Sequence, residues 1–145
     1  MKILVDADAC PVKEIVVKNA KKRRMEVVMF IDTSHAINDG YSKVVTVDKA
    51  KDSADFALIA RAKAGDIVVT QDFGVAAMAL AVGAYALNQN GLVFTDRNMD
   101  TLLYERHISA KIRRAGGRTA GSPRRSKQDD QNFETALENL LKAAE

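Results

Sequence analysis

Four aspartates follow short, β-rich runs of this sequence and are the first candidates for chemistry. Asp6, Asp32 and Asp48 each follow directly after such a run. Asp72 stands two residues after Thr70, the last residue of its run. In an open parallel sheet the carboxyl ends of the strands share one edge, and ligands bind there where the strand order reverses. Gathered carboxylates repel one another unless a cation or shared proton compensates, so the pattern indicates a divalent-metal site. The alternative is that each aspartate only caps the helix that follows it.

Two further aspartates and one threonine are candidates for the same site. Asp8 stands two residues after Asp6 in an extended turn, so both carboxylates are expected to point toward the same pocket. Asp55 begins a stripe of residues at helical spacing whose other members are apolar, so it is expected on the packed face of the helix. The alternative is that Asp55 only belongs to a variant capping box at the start of that helix. Thr70 precedes Asp72 by two residues and is expected to orient a water or metal-bound oxygen beside it.

The elements that must position these side chains alternate between strand-like and helical segments, which is typical of a parallel sheet covered by helices. The predicted strands are Ile3–Val5, Val27–Ile31, Val44–Val47, Ile67–Thr70 and Ala84–Leu87, with Leu92–Phe94 as an edge strand. The predicted helices run from Pro11 to the basic cluster at 21–24, then over Asp52–Lys63, Val75–Val82, Asp100–Arg114 and Asp130–Ala143. The connection from Asp32 to Lys43 shows no helical period and is predicted to be mainly a loop.

Length and composition limit the classes of protein that remain. A chain of 145 residues with 47% hydrophobic and 28% charged residues fits one globular domain, 1–145. The apolar runs are far shorter than the roughly 18 residues of a membrane span, and the amino terminus lacks a signal-peptide pattern, so a cytoplasmic location is expected. One cysteine, Cys10, and two histidines exclude a disulfide framework and make a Cys/His zinc site improbable. Cys10 is expected to be a buried space-filler.

Positive charge is concentrated in the carboxyl-terminal third of the chain. From Arg106 to Lys127 there are eight Lys/Arg and no Asp or Glu. Residues 116–128, which overlap this stretch, are predicted to be flexible. This density of positive charge favours contact with nucleic-acid phosphates, and a solvated tail is the alternative. The residues expected to bind substrate are Arg113, Arg114, Arg124 and Arg125, together with His35 in the loop after the second strand and Thr70.

Two stretches carry a resemblance to known families. The helix from Asp55 and the strand Ile67–Thr70 ending at Asp72 resemble the acidic helix and the strand-plus-aspartate of PIN-like nucleases. Asp6-Ala7-Asp8-Ala9-Cys10-Pro11-Val12-Lys13, Thr70-Gln71-Asp72-Phe73-Gly74 and residues 129–133 are similar to the YaiI/YqxD family of uncharacterised bacterial proteins. The PIN-like resemblance implies neighbouring first and fourth strands and Mg²⁺- or Mn²⁺-dependent phosphodiester hydrolysis. One departure is that the segment from Asp32 to Lys43 lacks the glutamate common in PIN-like sites.

The expected protein is therefore a three-layer α/β/α domain with a mostly parallel, PIN-like sheet, acting as a metal-dependent nuclease on RNA. Asp6, Asp55 and Asp72 would hold Mg²⁺ or Mn²⁺ and activate a water, and Asp8 would assist from just outside the metal ligands or through a second metal. One alternative is a haloacid-dehalogenase-like phosphohydrolase with Asp6 as nucleophile, although Cys10 replaces the threonine common in that motif. The other is a non-catalytic nucleic-acid-binding protein. The sequence does not determine the oligomeric state.

Overall fold

The part of the chain that the structure describes forms a six-stranded, mostly parallel sheet with helices on both faces. A computed structural model describes residues 1–32, 36–48, 54–118 and 124–144. The strands are β1 (Lys2–Asp6), β2 (Glu26–Asp32), β3 (Lys43–Val47), β4 (Ile67–Val69), β5 (Tyr85–Leu87) and β6 (Val93–Phe94). The helices are α1 (Lys13–Lys22), α2 (Ala54–Arg61), α3 (Phe73–Ala81), α4 (Asp96–Arg114) and α5 (Lys127–Ala144).

Strand order places β1 at the centre of the sheet. The order is β3-β2-β1-β4-β5-β6, and every pair is parallel except the edge pair β5 and β6. The expected proximity of the first and fourth strands is confirmed, as is the edge strand after Leu92. From β1 the chain proceeds outward to β2 and β3 and then returns to β4, so the direction of strand order reverses between β1 and β4.

Alternating side chains of the strands supply two apolar cores, one on each face of the sheet. Ile3 and Val5 of β1 pack toward α1 and α5, where Phe133 and Leu137 are fully buried. Leu4, on the opposite face, packs in the second core. That core contains buried residues of α2, α3 and α4: Leu58, Val75, Ala76, Ala79 and Met99. Burial on both faces is what a central parallel strand requires, and the arrangement confirms the three-layer α/β/α prediction.

Helices α1, α3 and α4 begin at residues other than the predicted ones, and in α3 and α4 a side-chain cap fixes the first residue. Helix α4 begins at Asp96 instead of Asp100, because Thr95 and Asn98 form a reciprocal capping box. Helix α3 begins at Phe73 because the Asp72 side chain caps it. Helix α1 begins at Lys13, two residues after Pro11, and Val12 at its N-cap makes no side-chain capping bond.

Two other predicted boundaries concern α2 and α5. Helix α2 is described from Ala54, and its predicted start at Asp52 lies outside the described residues. The segment predicted as flexible, 116–128, overlaps α5, which begins at Lys127. Among the residues that the structure describes, no helix is long and apolar enough to cross a membrane.

Candidate active site at the carboxyl edge of the sheet

The acidic residues meet at the edge of the sheet where the strand order reverses. Asp6 ends β1, and Asp72 follows β4, the neighbouring strand. A cavity of about 330 Å³ opens above these two strands. Its walls are formed by six residues: Asp6, Asp8, Gln71, Asp72, Phe73 and Arg106. Three of the four aspartates predicted to act together therefore line one cavity. The fourth, Asp55, does not line it but stands close enough to Asp6 and Asp72 to interact electrostatically with each.

Thr70 joins the two strands beneath the cavity. The register pairs Val5 with Val69, so the next residues, Asp6 and Thr70, are neighbours. The Thr70 hydroxyl donates to Asp6 Oδ2 at 3.1 Å and accepts from the Asp72 amide at 3.0 Å. Thr70 is only 2% exposed and does not line the cavity. The Thr70 hydroxyl thus links the Asp6 side chain to the Asp72 backbone, and the contact with substrate expected from the sequence stays a prediction.

The Asp72 side chain both caps helix α3 and lines the cavity, and these are the two roles that the sequence suggested for it. Its Oδ1 accepts from the amides of Gly74 at 2.7 Å and Val75 at 3.2 Å, so it is the N-cap of α3. A side chain on Gly74 would come within 3.0 Å of this oxygen, which explains the glycine here. Both cap bonds use the same carboxylate oxygen, and the same side chain lines the cavity. Capping and a role in the cavity are therefore compatible.

Strand β2, which flanks β1 on the side opposite β4, holds Asp8 through a hydrogen bond. The Asp32 amide at the end of β2 donates to Asp8 Oδ2 at 3.2 Å. This contact fixes the turn after β1 and directs Asp8 to the cavity wall. Asp32 itself is buried, and Asp48 follows β3, two strands away from β1, so neither lines the cavity.

Crowding of carboxylates changes the acidity of the site. The pKa of Asp6 is raised from its usual 3.8 to about 6, mainly by burial and also by the charges of Asp55, Asp8 and Asp72, while the hydrogen bond from Thr70 acts in the opposite direction. Burial and the Asp72 charge also raise the pKa of Asp55. Perturbed acids in a cleft are typical of functional sites, and a bound cation would relieve the repulsion.

The donor set suits a hard cation, although it does not form a closed cage. Carboxylate oxygens are the ligands that Mg²⁺ and Mn²⁺ prefer. Within the described residues, no three His, Cys, Asp or Glu side chains are arranged around one point as the ligands of a single ion. Mg²⁺ usually uses one or two carboxylates and retains several waters, with substrate phosphates completing the shell. Asp6 and Asp72 therefore fit such an open site, and the expected three-aspartate cage is not present among these residues.

Sequence reasoning missed Arg106 as a residue of this cavity. Its guanidinium lies 5.7 Å from the centre of the Phe73 ring, and Arg106 lines the same cavity as the aspartates. Met99, the buried residue of α4, precedes Arg106 by seven residues, which places both on the same face of the helix. Arg113 repeats this spacing seven residues later, so the spacing alone does not single out Arg106 in the sequence.

A second cavity of about 390 Å³ adjoins the first and shares Gln71 with it. Its wall includes Asn90, Asp129 and Arg125. The guanidinium of Arg125 forms an ion pair with Asp130 at 2.7 Å and donates to Asn90 Oδ1 and the Gln89 carbonyl, both at 2.8 Å. These bonds fasten the start of α5 to the turn after β5. Arg125 is consequently anchored, although it lies in the segment predicted to be flexible, and its expected contact with substrate stays a prediction.

The remaining predicted substrate residues lie away from the acidic cavity or outside the described residues. Arg113 and Arg114 are exposed at the end of α4, and Arg124 is exposed before α5. His35 lies outside the described residues. Cys10 is buried, as expected, and burial raises the pKa of its thiol, which makes a thiolate nucleophile unfavourable.

The fold and site define an α/β protein with an acidic cavity at the switch point of a parallel sheet. The chain belongs to the uncharacterised YaiI/YqxD family, DUF188, whose profile matches residues 4–143. The UPF0178 protein of Ruminiclostridium cellulolyticum is 63% identical over 142 residues, covering 98% of this chain and 93% of that protein. The UPF0178 protein of Alkaliphilus oremlandii is 50% identical over 147 residues, covering 98% and 95% respectively. No solved structure matches the chain.

Proposed function

We propose that this protein is a Mg²⁺- or Mn²⁺-dependent nuclease that hydrolyses phosphodiester bonds, with RNA as the substrate class. The observation that supports this most directly is the composition of one cavity at the switch point. Asp6, Asp8 and Asp72 line it, and the cationic Arg106 contributes to the same wall. Carboxylates for a cation beside a guanidinium for a phosphate are the two charges that phosphodiester hydrolysis requires.

Each residue has a task that follows from its position. Asp6 and Asp72 would hold the cation, which when bound supplies charge stabilisation and lowers the pKa of a water. Asp8 and the half-buried Asp55 add negative potential around that position. Thr70 keeps the Asp6 carboxylate and the Asp72 backbone at fixed separation through its two hydrogen bonds. Arg106 would bind the nonbridging oxygens of the reacting phosphate, for which a guanidinium is well suited.

The surroundings of the cavity support a polymeric substrate. The second cavity continues from the first across Gln71, so a chain held at the aspartates has space for its next nucleotide. Exposed arginines on α4 and before α5 extend the positive field beyond the cavity. Such peripheral cations increase affinity for a polyanion without touching the reacting group.

The open ligand geometry favours a second candidate, a nucleic-acid-binding protein without hydrolysis. The described residues do not assemble three ligands around one ion, as a tight protein-only metal site would require. In this case the cavity would bind a strand, and divalent ions would leave its covalent bonds intact.

Cleavage of a labelled single-stranded RNA in Mn²⁺ separates the two candidates. We expect turnover by the parent protein and no turnover by Asp72→Asn, which removes the charge and keeps an N-cap residue. Asp100→Asn is the matched control, since Asp100 is exposed on α4 and does not line the cavity. Binding of the RNA by the parent with no Mn²⁺-dependent product would refute the nuclease and favour the second candidate.

A further inference from the structure

The second cavity, of about 390 Å³, lies beside the acidic cavity and takes no part in the cation site proposed above. The two cavities share Gln71, so a group held in one is next to a group held in the other. Three side-chain amides line the second cavity, those of Gln71, Gln89 and Asn90, together with Arg125 and Asp129. Amides offer hydrogen-bond donors and acceptors without carrying charge.

The charges on this wall nearly cancel, which distinguishes it from a phosphate site. The Arg125 guanidinium forms an ion pair with Asp130 at 2.7 Å, and Asp129 adds a second carboxylate. An anion entering the cavity would therefore meet at least as much negative as positive charge. An uncharged polar group is compatible with such a wall, whereas a phosphate would gain little from it.

Several polar atoms on the wall have hydrogen-bonding capacity that the fold does not use. Gln71 donates through its side-chain nitrogen to a backbone carbonyl at 3.2 Å, and Asp129 Oδ2 accepts from a backbone amide at 2.9 Å. Asn90 accepts through its side-chain oxygen from Arg125 at 2.8 Å. Within the described residues, the other polar atom of each of these three side chains makes no hydrogen bond. The wall therefore retains acceptors on Gln71 and Asp129 and a donor on Asn90.

Packing of the turn after β5 against helix α5 holds this wall in place. The backbone of Gly91 approaches α5 so closely that a side chain there would come within 2.5 Å of the Asn132 carbonyl oxygen. Inside the turn, the Asn88 side-chain oxygen accepts from two backbone amides, both at 2.9 Å. Groups fixed in this way lose little entropy when a ligand binds, and a poorly matched ligand leaves them unpaired. The wall is thus suited to selective recognition.

We propose that the second cavity is a nucleobase-binding subsite, which holds the base of a nucleotide beside the scissile phosphate of single-stranded RNA. This inference rests on the proposed function, since it assumes a phosphate at the aspartates. The edges of unpaired bases carry donors and acceptors, and side-chain amides and carboxylates pair with them. The shared Gln71 places the base next to the reacting phosphate, which Arg106 and the cation would hold. Binding and cleavage should therefore depend on the base at one position of the strand.

Binding of single nucleosides tests the subsite without any cleavage. In isotope-labelled protein, the side-chain amide signals of Gln71, Gln89 and Asn90 should shift saturably with at least one of adenosine, cytidine, guanosine and uridine at millimolar concentrations. Ribose phosphate, which lacks a base, should leave these signals in place. Absence of a shift with all four nucleosides, or an equal shift with ribose phosphate, would overturn the proposal.

Abasic substitutions in a short RNA test the subsite on the proposed substrate. With Ca²⁺ in place of Mn²⁺, removal of the base at one position should weaken binding to the parent by about tenfold. Asn90→Asp should lose most of this difference, because it removes the unused donor and keeps the oxygen that binds Arg125. Asn38→Asp is the matched control, since Asn38 is exposed, lines neither cavity and undergoes the same chemical change. It should retain the tenfold difference.

The results separate this subsite from the nuclease proposal. Cleavage in Mn²⁺ that is indifferent to the base at every position would overturn the subsite and leave the nuclease standing. Nucleoside binding at Asn90 by a parent protein that does not cleave RNA would support the subsite and refute the nuclease. An equal effect of base removal on the parent and on Asn90→Asp would also overturn the assignment of the base to this cavity.

Discussion

Replacing Asp6 with asparagine should stabilise the folded protein at neutral pH while removing a central residue of the acidic cavity. Asparagine has nearly the same shape, and its side-chain oxygen can still accept from the Thr70 hydroxyl. What it lacks is the negative charge, which in the parent is partly buried and surrounded by other carboxylates. The substitution therefore isolates the free energy of ionising Asp6 in this position.

The size and sign of the effect follow from the pKa of Asp6. A rise from 3.8 to about 6 means that the folded state binds the proton more tightly than the unfolded state. The free energy of unfolding of the parent therefore falls as pH rises from about 4 through about 6. At about 1.4 kcal/mol for each pKa unit the ceiling is about 3 kcal/mol, and partial exposure of Asp6 reduces it to about 1–2 kcal/mol.

Urea or thermal unfolding of the parent and Asp6→Asn, with a chelator present, measures this difference. At pH 7.5 the variant should be more stable by about 1–2 kcal/mol, which is roughly 3 to 8 °C in Tm. The advantage should shrink as pH falls from 6 toward 4. An asparagine variant that is less stable than the parent at pH 7.5, or a stability difference that does not change with pH, would refute the claim that the ionised Asp6 destabilises the folded protein.

Three further predictions concern other parts of the site. Asp72→Ala should be less stable than Asp72→Asn by about 1 kcal/mol in urea unfolding, because alanine also removes the N-cap of α3; equal stability would show that the cap contributes nothing. Arg106→Ala should raise KM for a short RNA or weaken its binding in Ca²⁺ by at least about tenfold, and an unchanged affinity would remove Arg106 from substrate binding. Replacing Arg113 and Arg114 together should reduce the steepness of log affinity for single-stranded RNA against log salt concentration. The slope should change by about 0.7 for each phosphate contact that the variant loses. An unchanged slope would show that these two arginines are solvated and do not contact the RNA.

Much of the sheet could be predicted because its signals are local. The short β-branched runs each became a strand, and the aspartates after β1 and β4 marked the edge at which the cavity lies. Of the strand order, only the proximity of the first and fourth strands was expected, and it came from the resemblance to PIN-like proteins, since periodicity carries no information about which strands are neighbours.

The errors lie where contacts distant in sequence decide the outcome. The arginine cluster gave no sign that Arg125 would bond to Asp130 and to the turn at Gln89. Arg106 was overlooked because Phe73, whose ring it contacts, and the cavity that it lines come near it only through packing of α4 on α3. The Thr70 hydroxyl depends in the same way on the register of β1 with β4.

Binding of Mn²⁺, measured by isothermal titration calorimetry at pH 7.5, tests the central claim most directly. The parent should bind the ion, and Asp6→Asn and Asp72→Asn should each bind at least about tenfold more weakly, because each removes one carboxylate from the cavity. Asp100→Asn should bind like the parent. Absence of saturable binding in the parent, or equal affinity in all four proteins, would contradict a cation site at this edge of the sheet and with it the proposed hydrolysis.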